Sequence, residues 1–146
     1  MLDFFFFAIF IAGEKMEYRF LDHTADIMFE AYGKSYPEAL ENAAKALFSI
    51  LGAAKPEEKA EFSVTAHNLE ELTVQILADL LAYADTHEIV FSKFKVAFFD
   101  AEKRSAKLEA WGEKKRPRDA VKAVTYHELM VKNDAEGWTV KILLDV

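Results

Sequence analysis

The stretch VTYHELMVKNDAEGWTVKILLDV, residues 124–146, decides the fold class. Trp138, Val140, Ile142, Leu144 and Val146 alternate with Thr139, Lys141, Leu143 and Asp145. A period of two marks a strand with one face buried, and here it runs to the last residue. Residues 124–131 read as the partner strand. The polar segment between them, Asn133-Asp-Ala-Glu-Gly137, completes a hairpin. Just upstream, 89–99 and 105–112 read as two further strands around the polar turn 100–104. The second half of the chain is therefore a run of hairpins.

The first half carries the helices. Residues 17–22 read as a short strand. In 26–33, Ile27, Phe29 and Ala31 alternate with Met28, Glu30 and Tyr32 as a second strand. Ser35-Tyr-Pro-Glu38 has the form of a capping box with proline in the first turn. It opens a helix with Leu40, Ala43, Leu47, Ile50 and Leu51 on one stripe and Gly52 as a left-handed cap. Residues 60–66 read as a strand, and Asn68-Leu-Glu-Glu71 opens a second helix whose apolar face is Leu72, Ile76, Leu77, Leu80, Leu81 and Ala84. The order predicts an α+β domain with two main helices and a mostly antiparallel sheet.

Composition sets the outer bounds. With 146 residues, 52% hydrophobic and 14% aromatic, the chain can fill one ordinary core. The net charge of −7 disfavours a broad nucleic-acid face. No cysteine is present, which excludes disulfides and thiolate metal ligands. Residues 1–15, MLDFFFFAIFIAGEK, stand apart from the pattern. The apolar run 4–12 is too short to span a bilayer and lacks a basic flank, so no membrane role is expected. We read 1–15 as an apolar extension from a start assigned too early, and 16–146 as the domain.

Three polar clusters could carry chemistry. Asp22-His23-Thr24-Ala25-Asp26 sits between two apolar strands. Two carboxylates and an imidazole could hold a metal or move protons, and the same residues also suit a plain turn. In Lys122-Ala-Val-Thr-Tyr-His127, strand parity puts His127 on the face of Thr125. Lys122 and His127 reach one site only if the strand begins between them. Asp145 lies beside the carboxylate of Val146, an anionic pair that is costly unless solvated or bound to a cation. Oxygen-only ligation suits Mg²⁺, Ca²⁺ or Mn²⁺. The basic run Lys114-Lys-Arg-Pro-Arg118 fits a solvated loop, or a contact with phosphate or an acidic surface. His87, at a helix end, fits the helix dipole. No nucleophile elbow, P-loop, dinucleotide fingerprint or zincin motif is present.

Taken together, Asp22-His23-Thr24-Ala25-Asp26, Lys122-Ala-Val-Thr-Tyr-His127 and Leu144-Asp145-Val146 resemble the archease family over 16–146. The resemblance implies a small cytoplasmic α+β protein with no catalysis of its own. Its partner would be the tRNA-splicing RNA ligase, which uses GTP and Mn²⁺. The family member promotes guanylylation of the ligase and its multiple turnover without itself using GTP as a cofactor. The resemblance assigns a divalent cation (Ca²⁺, Mg²⁺ or Mn²⁺) to Asp26, Asp145 and the carboxylate of Val146. It places Asp22, His23, Lys122 and His127 nearby. A second implied role is chaperone or specificity factor for an RNA methyltransferase or another RNA-modifying enzyme.

Overall fold

The computed structural model describes residues 16–146, so the expectation for 1–15 lies outside the described residues. The elements run β1 (Tyr18–Leu21), β2 (Ile27–Gly33), α1 (Tyr36–Leu51), β3 (Glu58–Thr65), α2 (Leu69–His87), β4 (Ile89–Asp100), β5 (Ser105–Lys114), β6 (Ala123–Asp134) and β7 (Gly137–Asp145). The expected α+β class and antiparallel pairing hold, with one difference: the strands form two sheets. One has the order β1-β2-β7-β6 and the other β3-β5-β4. Each helix packs on strands of both, α1 on β2 and β4, α2 on β6 and β4. The helices are thus a layer shared by two sheets. Their buried stripes show why: Leu40, Leu47, Leu72, Ile76, Leu77 and Leu80 are almost wholly enclosed.

Parity fixes which way β2 and β7 face. Phe29, Ala31, Val140, Ile142 and Leu144 belong to the core beneath the helices. Glu30, Tyr32, Lys141 and Leu143 alternate with them, so they point to the other face. Burial holds the Tyr36 phenol well above its ordinary range, so it stays a hydrogen-bond donor. Thr73 Oγ1 donates to Leu69 O at 2.7 Å, which leaves it to accept from Tyr36 Oη at 2.7 Å. Tyr36→Phe is therefore expected to cost about 1–2 kcal/mol, because a buried hydroxyl loses its donor. A denaturant midpoint unchanged in that variant would contradict the assignment.

The helix starts follow the sequence. Ser35 Oγ accepts from Glu38 N at 3.3 Å, and Asn68 Oδ1 accepts from Glu71 N at 2.8 Å. The helix ends differ from expectation. Gly52 has φ 118° and ψ 171°, an extended mirror-image geometry open to glycine in place of the left-handed helical cap. The basic run is solvent-exposed, with 115–118 a loop as expected, and it also reaches the helix ends. Lys114 Nζ donates to His87 O at 3.1 Å, at the end of α2. Arg118 donates to Ser49 O at 2.9 Å and Ile50 O at 3.2 Å, at the end of α1. Cations there meet the unpaired carbonyls and the negative end of each helix dipole. His87 serves the same end as expected, with Nδ1 3.0 Å from Tyr83 O. Among the described residues no helix is long and apolar enough to cross a membrane.

Candidate functional site

The register of β2 on β7 builds the site. Their last paired residues are Ile27 and Leu144, and one step further the same register sets Asp26 opposite Asp145. Both lie on the face turned away from the helices, by parity with Met28 and Leu143. Directly opposed residues of an antiparallel pair have Cβ atoms about 4.5–5.5 Å apart. The register, continued by one residue, thus brings two aspartates far apart in sequence to the same end of the sheet. Neither makes a hydrogen bond or ion pair through its carboxylate among the described residues.

The next strand adds Lys122. Ala123 pairs with Asp145, and Lys122 N donates to Asp145 O at 2.8 Å. β6 begins at Ala123, between Lys122 and His127. The sequence condition for bringing both near one site is met, but the simple parity is not. Thr125 pairs with Leu143 and Met130 with Lys141, so residues 126–129 stand opposite Ile142 alone. This wide bulge takes His127 out of the alternation that would have aligned it with Thr125. Its amide instead donates to Thr125 Oγ1 at 3.2 Å.

The bulge presents a residue that the sequence reading missed, Glu128. Its Oε2 is 3.1 Å from His23 Nε2 and 3.8 Å from His127 Nε2. The other His23 nitrogen, Nδ1, lies 3.3 Å from Thr24 O. The two histidines therefore gather around Glu128, while Asp26 and Asp145 form the free carboxylate pair. Asp22 is exposed at the start of the loop. Ala25, just before Asp26, has φ 70°, a left-handed conformation that a side chain disfavours. That turn lies directly before Asp26, the residue that leads into β2 at Ile27.

No group of three or more His, Asp or Glu side chains among the described residues is arranged to hold a metal. The donors offered to a cation are two opposed carboxylates, with the main chain of Val146 next to Asp145. Such a hard-oxygen set fits Ca²⁺, Mg²⁺ or Mn²⁺, with other positions left to water or a partner's oxygens. It does not fit a soft or nitrogen-seeking metal.

Comparison with known proteins shows the family. The family model described as "Archease protein family (MTH1598/TM1083)" matches residues 18–146. The chain is 39% identical over 144 residues to "Protein archease" of Methanosarcina acetivorans, covering 92% of this chain and 97% of that one. It is 36% identical over 138 residues to "Protein archease" of Sulfurisphaera tokodaii, covering 89% and 99%. The solution structure of Methanobacterium thermoautotrophicum protein 1598 superposes with a TM-score of 0.75 at 33% identity, over 89% of this chain and 99% of that chain. The crystal structure of a Thermotoga maritima archease, described as a possible chaperone, has a TM-score of 0.64 at 24% identity, over 86% and 94%. That last likeness concerns the fold alone.

Proposed function

The chain belongs to the archease family, and from that premise we propose that it is a non-catalytic activator of a tRNA-splicing RNA ligase, working through a divalent cation at the end of the β2–β7 pair. One feature supports the reading: the β2–β7 register, continued one residue past Ile27 and Leu144, sets Asp26 against Asp145, and neither carboxylate has a protein partner among the described residues. Like charges placed opposite one another in a sheet destabilise it. A site that keeps both is accounted for by a cation they share.

Asp26, Asp145 and the carboxylate of Val146 would hold the ion. Bound there, it supplies a positive charge able to engage phosphate groups in the partner's guanylylation step. The protein's own residues keep the carboxylates in place. β7 fixes Asp145 through its pairing with Ala123 and the Lys122 amide, and the turn at Ala25 fixes Asp26. Lys122, whose amide donates to Asp145 O and whose side chain is exposed, would offer a cation to an anionic group of the partner. The absence of a nucleophile motif agrees with a role in assisting another enzyme's chemistry.

The test is a ligation assay with cognate ligase, GTP, Mn²⁺ and RNA in excess over enzyme. The wild-type protein is expected to carry the ligase beyond one turnover. Asp26→Ala and Asp145→Ala should each lower that stimulation at least tenfold while keeping a cooperative thermal transition. Full stimulation by both variants would remove the cation site from the mechanism. The chaperone reading for an RNA methyltransferase makes the opposite forecast: protection of the enzyme that is indifferent to chelator and to either substitution.

A further inference from the structure

Two non-glycine residues near the candidate site hold left-handed backbone conformations, Ala25 at φ 70° and Glu128 at φ 53°. Each such residue is strained and persists where its surroundings over-determine it. The two are linked. Ala25 lies in loop 22–26, whose His23 meets Glu128 at 3.1 Å, and Glu128 lies in the β6 bulge. In the sheet order β1-β2-β7-β6, the loop leaves one edge strand and the bulge belongs to the other. The contact therefore ties together the two edges of the sheet, across the pair of strands that carry Asp26 and Asp145.

We propose that Glu128 is a positioning residue: by holding His23 it locks loop 22–26, and so sets where Asp26 stands against Asp145. The inference rests on the cation reading of those aspartates for its consequence, but the lock itself does not depend on it. The bulge explains why Glu128 can do this. Residues 126–129 opposite Ile142 alone give β6 surplus chain, which allows Glu128 to reach a loop beyond the neighbouring strand. His23 is the more enclosed partner, its side chain 25% exposed against 43% for Glu128. Residues that orient a metal's ligands from outside its coordination shell typically change affinity 10–100-fold when removed.

Three variants separate positioning from folding. Glu128→Ala removes the contact. Glu128→Gln keeps an acceptor for His23 at nearly the same size. Glu128→Gly removes the contact and relieves the backbone strain, so its stability should equal or exceed that of wild type. Two readouts are taken on the full chain. The first is amide hydrogen exchange by NMR at residues 22–26. It should quicken about tenfold in the Ala and Gly variants, with β2 and β7 unchanged, and stay near wild type in the Gln variant. The second is calorimetric titration with Mn²⁺ and with Ca²⁺, where affinity should fall about tenfold in the Ala and Gly variants and recover in the Gln variant.

Unaltered exchange in Glu128→Gly would overturn the lock. Altered exchange with unaltered cation affinity would overturn its positioning role. Wild-type protein that binds neither cation would defeat the cation reading and the proposed consequence together, with the exchange data still deciding the lock.

Discussion

Gly33→Ala is expected to destabilise the domain by about 3 kcal/mol, at the upper end for an overpacked core position. For a domain of this size that is a fall of roughly 10 °C in melting temperature. The reason is the close approach of three backbones. A Cβ on Gly33 would stand 2.3 Å from Ala39 N and 2.8 Å from Glu38 C, main-chain atoms in the first turn of α1. Those atoms cannot rotate aside as a side chain would. On the other side Gly33 pairs with Trp138. A Cβ on Gly137 would meet Gly33 O at 2.7 Å, and Gly137 already has φ 115°. The end of β2, the start of α1 and the β6–β7 turn are thus packed with no room for a methyl group. Relief of the clash would have to shift α1 along β2 or unpair the end of β7. Differential scanning calorimetry reads the outcome, and a melting temperature within 2–3 °C of wild type, under about 1 kcal/mol, would show that this junction has slack.

That junction also shows what was legible in the sequence and what was not. The alternation in 26–33 and 138–146 revealed both strands, and Ser35 with Glu38 revealed the helix between them. Local signals of this kind depend on neighbours in the chain, so reading them needs no tertiary knowledge. Register is different. That Ile27 faces Leu144 follows from how the whole sheet closes, and only this pairing sets Asp26 opposite Asp145. The sequence motifs could name both residues, through the archease resemblance, without supplying the geometry that opposes them. The division into two sheets was hidden for the same reason, since a hairpin pattern does not say which hairpins join.

The bulge was the sharpest loss. Residues 124–131 read as an uninterrupted strand, and no glycine or proline marks an irregularity there. Glu128, at positive φ, therefore had no signal in its own residue type. One clue was present: a carboxylate directly after His127, in a chain whose other motif also centres on a histidine. The basic run 114–118 is exposed as read, but its contacts with helix-end carbonyls at 49–50 and 87 had no local signal, since that demand exists only once both helices are placed.

The second large effect concerns the opposed aspartates and reverses sign with the solution. Without divalent cation, Asp145→Asn is expected to leave stability unchanged or raise it by about 0.2–1 kcal/mol, because it removes one of two like charges across the sheet. With Mn²⁺ or Ca²⁺ at about 100 times its dissociation constant, the wild-type protein should gain about 2.7 kcal/mol, since the ion binds the native state alone. That corresponds to a rise of roughly 8 °C, most of which the variant should lack. The order of the two melting temperatures therefore inverts on adding the cation. A purely structural Asp145 would give a different pattern: the variant less stable in chelator, and both proteins shifted equally by the ion. Matched ionic strength in sodium chloride separates site binding from screening, because screening of exposed like charges follows total ionic strength and ignores coordination. If sodium reproduces the whole shift, the two carboxylates repel one another without holding an ion between them, and the activator reading loses the feature on which it stands.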